Sequence, residues 1–178
     1  MMLSIDGWKA GLMFSACHMI PKHHKCSRLH GHTYTVHAKI HGETDSQHLV
    51  LDFGIIKKTL KAVAKQLDHH LLIPTKNSNT NIVDLDDLRY LAKNFEAAPM
   101  TKGPHPGYYE VIILDNHYVF PKSDVLLLDI PSTTAEEMAK YFLQTLLSSL
   151  TLPKNVTELE IGLDEGWGQG AWVKKVLR

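Results

Sequence analysis

The stretch HTYTVHAKI, His32 to Ile40, alternates without a break: Tyr34, Val36, Ala38 and Ile40 fall on one side, with more polar residues between them. A period of two belongs to an extended chain with one buried face, so the stretch reads as a strand, with a turn beginning at His41-Gly42. Upstream, Trp8, Ala10, Leu12 and Phe14 share a face in the same way, and residues 7–16 read as another strand. Downstream the period changes. From Gly54 to Leu67, the apolar residues Ile56, Leu60, Val63, Ala64 and Leu67 recur at helical spacing. A second helix should start near Thr133-Thr134, where a hydroxyl can cap the first turn. Ala135, Met138, Ala139, Phe142, Leu146 and Leu150 line one side of it, and Pro153 lies just past its end. Two more strands, at roughly 158–164 and 171–177, flank a glycine-rich link. The core order is β-β-α, a long middle segment, then α-β-β, which predicts an α+β protein.

The middle segment holds a short helical pattern over Asp86–Phe95, a Pro/Gly loop over Lys102–Gly107, and a hairpin within Val111–Phe120 turning at Asp115-Asn116. It is too poor in apolar residues for a core of its own. The chain therefore reads as one domain over residues 1–178, with an insertion at about 72–130.

Composition narrows the function. The chain has 178 residues, 44% hydrophobic and 21% charged, which is ordinary for one globular domain. Its formal net charge of zero supplies no field for nucleic acid or an acidic membrane surface. No apolar run approaches the ~20 residues of a membrane-spanning helix, and the start lacks a basic-then-apolar leader pattern. Two cysteines cannot form a disulfide framework, so the expected setting is the reducing cytoplasm, with neither nucleic acid nor membrane as partner.

Both cysteines and five of the twelve histidines lie between Cys17 and Val36. His30 and His32 stand one residue apart at the start of a strand, so their side chains share a face that Gly31 leaves open. His18 follows the first strand, which can lie beside the second in an antiparallel pair. Three converging imidazoles suit zinc, and three protein ligands with one open position mark a catalytic site. Solvent-exposed loop histidines are the other reading of the same pattern, and the one preferred for His23 and His24. Cys26 can be a fourth ligand that closes such a site, or a base or nucleophile made reactive by a nearby metal. Cys17 reads as a small buried hydrophobe facing away from His18. Asp68-His69-His70 ends the first helix, and a carboxylate beside an imidazole can form an acid/base pair.

Together these residues resemble the 6-pyruvoyltetrahydropterin synthase/6-carboxytetrahydropterin synthase family. Phe14-Ser-Ala-Cys-His18 resembles its F-x-A-A-H segment, with Cys17 where alanine is usual. Cys26-Ser-Arg-Leu-His30-Gly-His32 resembles its C-x-x-x-H-G-H motif, and Val50-Leu-Asp52-Phe53 its V-x-D-F. Leu67-Asp68-His69-His70 resembles its L-D-H-x, and Thr134-Ala-Glu136 its T-x-E. Glu165, with Ala171 six residues on, resembles its terminal E-T-x-x-x-x-A. The three-residue gap between Cys26 and His30 resembles the 6-carboxytetrahydropterin synthase branch, which serves queuosine and other deazapurine biosynthesis. A third branch places a glutamate shortly before H-G-H, and none stands between Cys26 and His30.

By this resemblance His18, His30 and His32 bind zinc, Cys26 is the general base, and Asp68 with His69 forms the acid/base pair. Glu165 anchors the pterin ring by paired hydrogen bonds, with Glu136 and Thr134 as further substrate contacts. Glu136 can equally be a first-turn acid favoured by the helix dipole, and Asp52 reads as structural. The implied substrate is 7,8-dihydroneopterin triphosphate, cut to 6-carboxy-5,6,7,8-tetrahydropterin, acetaldehyde and triphosphate. The implied fold is the tunnelling fold (T-fold): a four-stranded antiparallel sheet with two helices on one face. The implied assembly is a homo-oligomer, usually a hexamer, with active sites at subunit interfaces across which Cys26 and His69 act. Two features depart from the family pattern. His69 and Thr134 stand 65 positions apart, far beyond the usual link, and the family's E-T reads Glu165-Gly166. The alternatives are a 6-pyruvoyl product or another dihydroneopterin side-chain cleavage, or a catalytically silent relative that binds zinc and pterin.

Overall fold

The computed structural model describes residues 1–85 and 107–178. Its first half contains β1 (Met2–Ile5), α1 (Gly7–Ala10), β2 (Met13–His18), β3 (His30–Gly42), α2 (Phe53–Leu67), β4 (His70–Pro74) and β5 (Thr80–Leu85). The second contains β6 (Tyr108–Ile113), β7 (Asn116–Pro121), β8 (Val125–Leu128), α3 (Ala135–Ser149), β9 (Val156–Glu165) and β10 (Gly170–Val176).

The alternating stretch around Val36 is the spine of the molecule. β3 pairs antiparallel with β2 along its first half, with β1 along its second, and with β9 on its other edge; β10 follows β9. Phe14, Tyr34, Val36, Ala38, Ile40, Leu159, Ile161 and Leu163 point to one face and are buried there. Against that face lie α2, through Ile56, Leu60, Val63, Ala64 and Leu67, and α3, through Met138, Ala139, Phe142, Leu143 and Leu146. Both helices thus cover one side of the sheet, as expected, and their apolar stripes supply the other half of the core. Asp52 proves structural: its Oδ1 caps α2 by accepting from the Gly54 N–H at 2.7 Å. α3 begins after Thr134 as expected, but the Thr134 hydroxyl makes no capping bond.

The strand expected over residues 7–16 is divided. Gly7–Ala10 forms one helical turn, and extended backbone resumes only at Met13. Asp6 accepts from the Trp8 and Lys9 N–H groups (3.0 and 3.3 Å), and Gly11 ends the turn at φ 67°. A capping aspartate and a left-handed glycine only five positions apart outcompete the alternation of Trp8 and Ala10. The turn lies tight on β3: a Cβ added at Gly7 would stand 2.1 Å from the Val36 carbonyl oxygen, so only glycine fits.

The four expected strands are extended to seven. β4 pairs parallel to β2 at Ala16–His70 and Cys17–Leu71, and β8 pairs parallel to β4. HLLIP and VLLL are continuous apolar runs, so they carry no period-two signal. A separate three-stranded sheet, in the order β5-β6-β7, packs Val111 and Ile113 with Met19, Leu71, Ile73 and Val125 into a smaller cluster. The expected hairpin is β6–β7, turning at Leu114-Asp115, one position earlier than anticipated. The helical pattern over Asp86–Phe95, and the loop up to residue 106, lie outside the described residues. Among the described residues, no helix is long and apolar enough to cross a membrane.

Candidate active site

Strand pairing decides where the histidines go. In the β2–β3 register His18 faces His30 and Ala16 faces His32, so all three imidazoles lie on the helix-covered face, beside the start of α3. One ring nitrogen from each lies within 4.8 Å of the others. His18 is fully buried, and its Nδ1 meets the Thr133 carbonyl oxygen at 2.9 Å. His30 Nδ1 meets the Arg28 carbonyl oxygen at 2.7 Å. A carbonyl only accepts, so both Nδ1 atoms carry the hydrogen and both Nε2 atoms present lone pairs. Those two Nε2 atoms face each other at 3.1 Å. Two facing lone pairs repel unless a cation lies between them or one ring is protonated. Protonation is opposed at His18, whose pKa falls to about 4, chiefly through burial and further through His30 and His32. His32 is lowered too, again mainly by burial. A neutral, carbonyl-oriented imidazole set of this kind fits a borderline-soft divalent metal.

Cys26 does not join this set. It lies half-buried in the β2–β3 loop, where its carbonyl accepts from Ile20 at 2.7 Å and its N–H donates to His23 Nδ1 at 3.3 Å. Cys17, expected to be buried, is exposed: it faces away from His18 as its position in β2 requires, but that side of the sheet is open.

Glu165 ends β9, directly across from Tyr34. Burial raises its pKa, the Glu136 charge raises it further, and His30 opposes both. Its carboxylate thus shares a neighbourhood with Glu136 and the histidine group, and its Oε1 is buried without a hydrogen-bond partner among the described residues. Such an acceptor calls for a donor that those residues do not supply. Thr134 is the half-buried cap residue of α3.

Asp68 and His69 sit apart from these groups. Asp68 Oδ1 accepts from the Ser15 N–H at 2.8 Å, and His69 N–H donates to the Ser15 carbonyl at 2.7 Å. That clamp holds His69 in the left-handed region at φ 61°, which costs on the order of 1 kcal/mol for a non-glycine residue. The ring is thrown outward, 83% exposed, with Nδ1 2.9 Å from Asp68 Oδ2. His69 lines a cleft of about 580 Å³, together with Ser15, Cys17, Thr33, Phe120 and Asp124, that is bordered by His32. Ser15, Cys17 and Thr33 alternate with Ala16, His18 and His32, so the cleft opens mainly on the opposite face of the sheet. Among the described residues, the ring neighbours of the histidine group are its own members and Tyr34, with His69 not among them. Asp68–His69 thus makes no ring contact with the three histidines, and within one chain His69 and His32 meet only as parts of the wall of this cleft.

The Ser15 N–H bond, and secondarily His69, hold the Asp68 pKa below its usual 3.8. A depressed carboxyl adds stability above its unfolded pKa and loses it as pH falls through the folded value. The stability gap between the wild type and Asp68→Asn should therefore be full at pH 6 and shrink below about pH 4. Urea midpoints at pH 6, 4 and 3 check this; a gap constant with pH would mean that the carboxylate charge contributes nothing.

The sequence reading missed Thr133 and Tyr34. Thr133 was read only as part of the expected cap, whereas it is its carbonyl that meets His18, and Tyr34 looked like one more core residue of the alternating strand. A second group, His41 with Glu158 and Glu160, also gathers ligand atoms within 4.8 Å. There His41 Nε2 bonds Glu160 at 2.8 Å, while Lys174 and Lys39 approach Glu158 and Glu160 at 3.2 and 3.7 Å. Its charges are met within the cluster.

A Methanocaldococcus jannaschii protein provisionally named 6-carboxy-5,6,7,8-tetrahydropterin synthase is 37% identical over 180 residues, covering 99% of this chain and 98% of its own. The 6-carboxy-5,6,7,8-tetrahydropterin synthase of Bacillus subtilis is 41% identical over 61 residues, 33% of this chain and 40% of its own. Among solved structures, 6-pyruvoyl tetrahydropterin synthase of Plasmodium vivax superposes with a TM-score of 0.82 at 26% identity, over 99% of this chain and 98% of that one. The Plasmodium falciparum protein of the same name superposes with a TM-score of 0.79 at 26% identity, with the same coverage. The sheet with its two helices is therefore a tunnelling fold. The 6-pyruvoyl tetrahydropterin synthase sequence profile matches residues 9–175, nearly the whole chain, and the chain belongs to that family.

Proposed function

We propose that the protein is a zinc-dependent lyase that converts 7,8-dihydroneopterin triphosphate to 6-carboxy-5,6,7,8-tetrahydropterin, acetaldehyde and triphosphate, taking up one water. The observation that carries the reading is the facing pair of Nε2 lone pairs on His18 and His30, with His32 beside them. The C-x-x-x-H-G-H spacing and the names of the M. jannaschii and B. subtilis relatives favour the carboxy product.

His18, His30 and His32 hold zinc, which when bound acts as a Lewis acid toward the substrate's side-chain hydroxyls. Glu165 accepts hydrogen bonds from the ring's N–H and amino groups, supported by Glu136 and Thr134 at the start of α3. Cys26 removes a proton from the side chain, and His69, oriented by Asp68, moves a second proton. In the family's assembly the pterin pocket lies between subunits, so that Cys26 and His69 act across an interface. A homo-oligomer, a hexamer in the family's usual form, supplies it. The protein is expected to act in the cytoplasm, in queuosine or related deazapurine biosynthesis. The chain is read as one domain, in which residues 72–130 are an insertion that borders the cleft through Phe120 and Asp124.

Mass spectrometry of products from the zinc-loaded protein tests the reading, with 7,8-dihydroneopterin triphosphate and 7,8-dihydroneopterin assayed in parallel. 6-Carboxy-5,6,7,8-tetrahydropterin with equimolar acetaldehyde is expected from the triphosphate. A 6-pyruvoyl product without acetaldehyde would keep the enzyme and change its product. No turnover of either substrate, with zinc fully bound, would leave a binding protein.

A further inference from the structure

Beneath the histidine group lies a side chain to which the proposed chemistry gives no task. Tyr34 is fully buried, and its hydroxyl has no hydrogen-bond partner among the described residues. Its ring stacks on Phe14 (centroids 4.9 Å apart, planes within 12°) and stands edge-on to His18 and His32 at 5.9 and 5.6 Å. It is therefore locked between the core and the floor of the site. A phenylalanine would pack equally well there. A hydroxyl buried without a partner is destabilising, so its presence calls for an acceptor.

The register supplies one. Tyr34 and Glu165 are directly opposed on β3 and β9, so their side chains rise from the same face as neighbours. The Glu165 oxygen Oε1 is likewise buried and unpaired among the described residues, as is the Thr133 hydroxyl beside His18, and of the two only Glu165 lies across the strand pair from Tyr34. A phenol O–H is a donor and a carboxylate only accepts, so the hydrogen bond between them runs from Tyr34 to Glu165. No direct bond links the two groups, and a single buried water, which takes two to four polar partners, can link them.

We infer that Tyr34 is a positioning residue: through one buried water its hydroxyl holds the inner oxygen of Glu165, aiming the other oxygen at the ligand. The inference rests on the proposed role of Glu165 as the pterin anchor, and its test has one arm that does not need a pterin.

That arm is a double-mutant cycle in thermal unfolding of the zinc-loaded protein at fixed protein concentration. Tyr34→Phe should lower Tm by about 3 °C when Glu165 is present, the shift expected for one lost hydrogen bond in a domain of this size. In the Glu165→Met background the same change should move Tm by less than about 1 °C. Equal shifts in both backgrounds, or a higher Tm for Tyr34→Phe alone, would overturn the link. The second arm measures steady-state kinetics with 7,8-dihydroneopterin triphosphate. Tyr34→Phe should raise KM about tenfold, the equivalent of one hydrogen bond, and leave kcat within about twofold. A fall in kcat at unchanged KM would overturn the positioning role. If the wild type turns over no pterin, the functional reading fails, while the Tm cycle still decides whether Tyr34 holds Glu165.

Discussion

Replacing His32 by alanine should yield a folded protein that no longer retains zinc. His32 is half-buried and its ring makes no hydrogen bond among the described residues, so loss of the ring leaves none of their buried groups unpaired. His18 and His30, held by the Thr133 and Arg28 carbonyls, would remain in place but offer two nitrogens instead of three. Losing an outer-sphere partner alone commonly weakens metal binding 10–100-fold, so losing a ligand should weaken it by more than about 100-fold. Metal analysis after dialysis should then find the purified variant nearly zinc-free, and turnover should fall in step. Stoichiometric zinc in this variant would sink the three-histidine assignment.

Cys26→Ala should have the complementary effect. If Cys26 is the base, the zinc content stays at the wild-type level while kcat falls by about 10²–10⁴, the usual contribution of a positioned general base. The geometry favours this outcome over a ligand role, because Cys26 Sγ is not among the ligand atoms that gather within 4.8 Å. Loss of zinc together with activity would make Cys26 a fourth ligand instead, and the site a closed one. Measured together, the two variants separate holding the metal from moving the proton.

Much of this arrangement is legible in the order of residues, because a strand or helix with one buried face must repeat its apolar side chains at two or 3.6 residues. The spine at β3, the two covering helices and the closing pair β9–β10 follow from that rule alone. His30 and His32 share a face for the same reason, and the C-x-x-x-H-G-H spacing points to the family before any contact is known. The rule fails where another local force is stronger or the period is absent. At Gly7–Ala10, the Asp6 cap and Gly11 turn a plausible strand into a helical turn, held on β3 by the Gly7 N–H bond to His37 Nδ1 at 3.1 Å. β4 and β8 read as bare apolar runs that would suit a strand or a buried helix equally.

The sequence by itself determined the class of fold, the family and the residue types at the site. Only the tertiary structure decided which atoms meet. The Thr133 carbonyl reaches His18 across 115 positions, and Tyr34 faces Glu165 only through the β3–β9 register. The structure also placed His69 on a cleft that opens mainly on the other face of the sheet and that His32 borders. Periodicity is a property of neighbours along the chain, whereas tautomer, burial and convergence depend on partners that pairing brings from far away. The element pattern could therefore be read in advance, and the chemistry of the site could not.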